Sequence, residues 1–186
     1  MRKIAAFILP VVLAVSCANE PDVKKIETEH IDNPIDSHEE RVAAIEKHTA
    51  LLFEDSLKFN TKSANDLLAA YEVYIKHHSF QSDSKTIQFK AGELAKSLGK
   101  PHKAIKHFND LMERDPDHEK APLALFYKAM IIGDDLHEND LAKATYQEFI
   151  EKYPNHPFVE SAKASIEMQG KSLDEIVKEF EKKGNS

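Results

Sequence analysis

The feature that most constrains this chain is a residue pair that keeps returning. Ala70 and Tyr74, Ala104 and Phe108, and Ala142 and Tyr146 each set a small residue four places before an aromatic one. The pairs lie 34 and then 38 residues apart. Residues four apart share one face of a helix, so each pair places a point of close approach beside a ring. A unit repeated at this period cannot bury its apolar face alone and must stack on its neighbours. Composition agrees with a helical stack: Lys and Glu are abundant, β-branched runs are scarce, and there are 5 Gly and no Trp.

Helical periodicity begins at Ser37 and continues to the end of the chain. Ser37 with Glu40 reads as a capping box, and Val42, Ile45, Thr49, Leu52 and Ser56, with Phe53 and Leu57, fit one long helix. A second runs from about Ser63 through Leu67, Leu68, Tyr71, Tyr74 and Ile75, and a third from near Ser82 to Leu98, with Gly99 as C-cap. Pro101 opens a fourth that Asp115-Pro116 ends. Three more cover about Pro122 to Gly133, Asp140 to Tyr153 and Pro157 to Gln169. The last opens with the capping box Ser172 to Glu175 and is expected to bury Leu173, Ile176, Val177 and Phe180.

Residues 85–118 place Gly92, Ala104, Phe108, Leu111 and Pro116 where the tetratricopeptide repeat has its small, small, aromatic, apolar and Pro residues. The unit ending at Pro154 repeats this with Ala142, Tyr146 and Phe149, and its small first-helix residue is Ala129, one place early. That shift predicts an extra residue in the turn between Gly133 and Asn139. The chain therefore resembles the tetratricopeptide family over roughly residues 40–183. The resemblance implies an all-α helical-hairpin solenoid of about eight helices, with Phe158 to Lys183 as a capping pair. Its outer face would offer Lys171, Asp174, Glu175, Lys178, Glu181 and Lys182 to water. The segments Tyr146 to Pro154 and Ala121 to Leu136 are similar to envelope tetratricopeptide proteins of Gram-negative bacteria. Among these are the lipoprotein of outer-membrane barrel assembly and the periplasmic proteins associated with Tol-Pal.

The start of the chain points to an envelope location. Arg2 and Lys3 precede an apolar stretch, Ile4 to Val15, that is shorter than the roughly 20 residues of a spanning helix. Leu13-Ala14-Val15-Ser16-Cys17 resembles a bacterial lipobox, with Ala14 where Leu is usual. Residues 1–16 then read as a signal peptide and Cys17, the single cysteine, as the lipidated N-terminus. Acyl chains contribute about 0.8 kcal/mol per buried methylene, so several hold a protein on a bilayer. Ala18 after the cysteine agrees with sorting to the outer membrane, as the lipoprotein resemblance implies. Residues 17–36 form an acidic tether with no sustained apolar period, about 25 Å in root-mean-square span. Loss of Arg2 and Lys3 would take the formal charge from -7 to -9. So acidic a chain repels nucleic acid and lacks a polybasic attraction to lipid.

Signs of catalysis are few. No Gly-rich phosphate loop, nucleophile elbow or zinc spacing is present, and the lone cysteine leaves no thiol nucleophile in the helical domain. His77 and His78 are adjacent and point about 100° apart on a helix. His102 and His107, five apart, also leave one face, so the 10 histidines read as solvated or capping, with no metal. No cofactor is implied. The acidic run from Asp134 to Asp140 reads as a polar turn.

Binding is the expectation instead, in the groove that such repeats present. Phe89 lies off the Ile87-Ala91-Leu94 stripe, among Lys90, Glu93 and Lys96, while Phe126, Tyr127 and Met130 exceed what one buried face needs. Either these side chains anchor a protein or peptide, or they pack against neighbouring helices. The expectation is a non-catalytic scaffold, lipid-anchored on the periplasmic face of the outer membrane and serving outer-membrane protein assembly. The rivals are a Tol-Pal, cell-division or peptidoglycan-linked envelope factor, and a subunit of an envelope enzyme.

Overall fold

The computed structural model describes residues 37–54 and 59–184, and these form eight helices with no strand among them. Cys17, the apolar stretch before it and the tether lie outside the described residues, as do Ser56 and Leu57. The helices are α1 (His38–Phe53), α2 (Thr61–His77), α3 (Ser84–Ser97), α4 (Pro101–Arg114), α5 (Ala121–Asp134), α6 (Asn139–Lys152), α7 (Val159–Met168) and α8 (Leu173–Gly184).

Local chemistry sets the ends. Ser37 Oγ accepts the Glu40 N–H at 3.1 Å and the Glu40 carboxylate accepts the Ser37 N–H at 3.3 Å, closing the capping box of α1. Asn60 caps α2 through the Ser63 N–H at 3.0 Å. Gly99 ends the α3 turn at φ 65°, where its N–H reaches the Lys96 carbonyl and the Lys100 N–H that of Ala95. Pro101 sits in the first turn of α4, where no donor is missed. Ser172 and Glu175 cap α8 reciprocally, at 2.8 Å and 3.4 Å.

Helices α1–α2, α3–α4 and α5–α6 pack as hairpins, and successive hairpins meet through α2–α3, α4–α5 and α6–α7. The turn inside α3–α4 is residues 98–100, and the one inside α5–α6 is 135–138, longer by the one residue that the early position of Ala129 required. His137 holds it at φ 59°. Between hairpins the linkers repeat closely, as residues 78–83, 115–120 and 153–158. In each, a mid-linker N–H (Gln81, His118, His156) returns to the carbonyl at the linker's start, and the next helix opens on that same residue's carbonyl. His118 and His156 add a side-chain bond, with Nδ1 accepting the N–H of Lys120 at 3.1 Å and Phe158 at 3.2 Å. This linker takes up Pro157, so α7 begins at Val159, two residues later than its pattern suggested.

The core falls into two clusters. One joins α1 through α5 around Leu68, Tyr74, Phe108 and Leu111, and the other joins α5 through α7 around Leu125, Tyr146 and Phe149. Helix α5 feeds both: Ala124 and Ile131 face the first, Leu125 and Ala129 the second. A helix that is apolar all round must be covered on all sides. One expectation changes in α8, where Val177 is 47% exposed, and Phe53 at the end of α1 is 70% exposed. Among the described residues no helix is long and apolar enough to cross a membrane.

Candidate functional site

The small-then-aromatic pairs lie at the helix contacts. Ala104 and Ala142 are wholly buried, as are Phe108 and, nearly so, Tyr146, while Ala70 is half-buried. Gly92 faces Phe108 so closely that a Cβ there would stand 2.5 Å from the ring. Ala129 is wholly buried at the same helical step of α5, where the larger side chain is accommodated. Pro116 and Pro154 are exposed in the linkers, where they deny the preceding helix a further donor.

The expected groove aromatics divide. Phe89 is not an exposed anchor: it is 5% exposed, with its ring 5.5 Å from Phe108 and 5.9 Å from Tyr127. The stripe Ile87-Ala91-Leu94 marks one buried side of α3, but α3 is also flanked by α5, and Phe89 fills that second side. Tyr127, half-buried, joins the same ring layer. Phe126 turns the other way, its ring 5.4 Å from Tyr146, 5.5 Å from Phe149 and 5.2 Å from Phe158. The apolar surplus of α5 therefore serves packing between hairpins. Lys90 and Glu93 stay at the surface and Lys96 is half-buried. Desolvation raises the Glu93 carboxyl above its ordinary range, against the opposing pull of Lys120 and Lys90.

An open cleft of about 550 Å³ is framed by α5, α6, α7 and the start of α8. Phe126, Met130 and Tyr146 supply apolar wall, and Asp134, His137, Ser165 and Lys171 supply polar groups. It takes in Phe126 and Met130 of the expected set but leaves Phe89, Lys90, Glu93, Lys96 and Tyr127 outside. Gln169 closes one side by lying over Gly133, where a Cβ would collide with its amide, and by donating to Asn139 Oδ1 at 2.9 Å. The α7 and α8 contributors were not legible in the sequence. The one signal was Gly133, a glycine in an otherwise good helix, which marks a close approach.

Histidine behaves differently from the solvated expectation at one place. His107 is 7% exposed, its Nε2 3.2 Å from Glu72 Oε1 and its Nδ1 2.9 Å from Gln88 Nε2. Burial holds its pKa below the ordinary value, with Glu72 acting in the other direction. A second polar cluster ties α1 to the first linker. Tyr74 donates to Asp83 Oδ2 at 2.7 Å, His38 stands 3.3 Å from the same hydroxyl, and Arg41 reaches His78 at 3.1 Å. Among the described residues no group of three or more His, Cys, Asp or Glu side chains is placed to hold a metal ion.

These hairpins define a class. The tetratricopeptide repeat model matches residues 87–118 and 123–156, which are the α3–α4 and α5–α6 hairpins with their following linkers. Two of the chain's hairpins thus match the tetratricopeptide repeat, and the described helices stack as a helical-hairpin solenoid. No curated protein matches it significantly.

Proposed function

We propose that this chain is a non-catalytic adaptor of the bacterial envelope, held to a membrane through Cys17 and binding a protein or peptide on its repeats. Tetratricopeptide repeats are protein-interaction scaffolds, so the partner class follows from the repeats themselves. The observation that carries the reading is the α5–α7 cleft. It is large enough for several side chains, mixes apolar wall with polar groups, and is edged by Met168 at 39% exposure. The lipobox-like Leu13 to Cys17 and the acidic tether support anchoring on the periplasmic face of the outer membrane, with a role accessory to outer-membrane protein assembly.

In-cell crosslinking followed by purification from membranes tests this, comparing wild type with Cys17→Ala and with Met168→Glu. Barrel-assembly components should be recovered with wild type, and lost or reduced with each variant. Recovery of Tol-Pal or cell-wall proteins would move the chain to another envelope process. Equal recovery of wild type and Cys17→Ala from the soluble fraction would overturn the anchor, and full recovery with Met168→Glu would overturn the cleft.

A further inference from the structure

The side of the stack built by α2 and α4 has a chemistry unlike the rest of the molecule. The chain carries a formal charge of -7, yet a cleft of about 630 Å³ here is walled by Lys76, His102, Lys103, Lys106 and Arg114. Its acids are already engaged. Glu72 meets Lys103 at 2.8 Å and His107 at 3.2 Å, and Asp110 meets Lys106 at 2.6 Å. Lys76 and Arg114 have no ion-pair partner among the described residues. Gln88, 2% exposed at the floor, leaves its Oε1 buried without a donor.

This basic cleft continues into a second recess. Arg114 also lines a neighbouring hollow of about 440 Å³ with Ser79, Phe80 and Lys85. Phe80 is 100% exposed, the most exposed large apolar side chain among the described residues. Lys85 is held 3.8 Å from Asp115, which leaves Arg114 and Phe80 as the open pair at the junction. An uncovered aromatic beside an unpaired guanidinium, at the end of a basic cleft, has the anatomy of an interface anchor with a charged rim.

We propose that the α2–α4 face, from Lys76 past Arg114 to Phe80, is a second docking site, specific for an acidic protein segment that carries an apolar side chain. It lies on different helices from the α5–α7 cleft and does not depend on it. Carboxylates would pair with Lys76 and Arg114 as charge-assisted contacts, the guanidinium taking one in bidentate fashion. The apolar residue would cover Phe80. Charge complementarity of this kind sets association rate and selectivity, and it weakens with salt.

The test uses the chain with its helices intact and a short fluorescein-labelled probe of glutamates around one leucine, read by fluorescence anisotropy. The probe should bind at low salt and more weakly at high salt. The Lys76→Glu, Arg114→Glu double variant should lose about tenfold or more in affinity, near 1.4 kcal/mol, and Phe80→Ala should lose less. Lys152→Glu, an exposed reversal on α6, should leave binding unchanged, and circular dichroism should find every variant folded. Failure of wild type to bind, or an equal loss with Lys152→Glu, would overturn the proposal. So would tighter binding of inorganic phosphate or a single-stranded oligonucleotide, since the face would then take any anion. A wild-type dimer in sedimentation that the double variant abolishes would overturn it in favour of a second copy of this chain.

Discussion

In the α3–α4 hairpin the ring of Phe108 lies on Gly92 and is flanked by the rings of Phe89 and Tyr127. In the α1–α2 hairpin the equivalent aromatic, Tyr74, is equally buried, but its neighbours are the imidazoles of His38 and His78 and its hydroxyl is bonded to Asp83. Burial and the Asp83 carboxylate push the phenol pKa well above its ordinary value, so it stays a donor. One backbone plan is thus held by ring packing in one hairpin and by a polar network in its neighbour. The difference follows position. Helices α3 and α4 are flanked by helices on both sides, whereas α1 packs chiefly on α2 and meets linker polar groups at its edge. The family's repeat is recognised only where the apolar version stands, from residue 87 onward.

The sharpest way to break this comparison is to remove the ring. Phe108→Ala should cost about 3–5 kcal/mol, read from the urea midpoint, because the rings of Phe89 and Tyr127 lose a shared partner and a cavity is left. A cost near that of an ordinary surface change would mean that the ring layer does not hold the hairpin. Gly92→Ala comes next. On an exposed helix it would stabilise by about 1 kcal/mol. Here the added Cβ drives into Phe108, and a net loss of about 1–3 kcal/mol is expected.

Tyr74→Phe should cost less, about 1 kcal/mol, since Asp83 can return to water once the hydroxyl is gone. A loss as large as that of Phe108→Ala would show the polar network to be the stronger of the two. The smallest effect is a pH dependence. His107 is held below its ordinary pKa of about 6.5, so folding favours its neutral form. Its contribution is complete above that value and is lost as pH falls below it. Glu72 and Asp110 oppose the shift, and Lys106 reinforces it. His107→Gln should flatten the fall in thermal midpoint between neutral and mildly acidic pH. An unchanged slope would assign the acid sensitivity to other groups, His78 first among them, since its pKa is also depressed.

Much of the architecture was legible because it is periodic. The extra residue in the α5–α6 turn could be read from Ala129 standing one place early, since a helix step cannot be skipped without a compensating turn residue. Phe89 was not legible, because a stripe of apolar residues identifies one buried side and α3 has two. For the same reason the surplus of α5 looked like an exposed anchor set, when Phe126 and Tyr127 are divided between two neighbours. The cleft was half legible: Phe126 and Met130 come from α5, but Ser165, Lys171 and Ile176 are brought to them from far along the chain.

By itself, then, the sequence determined eight helical segments, several of their caps, and a repeat that must stack, since these rest on spacings within a few residues of one another. Only the tertiary structure decided which side of each helix is covered, where a cleft survives, and that basic residues of α2 and α4 share one surface. Those depend on contacts between residues more than thirty positions apart, such as Glu72 with Lys103 and His107. Local periodicity carries no information about such pairs, because it is packing between hairpins that brings them together.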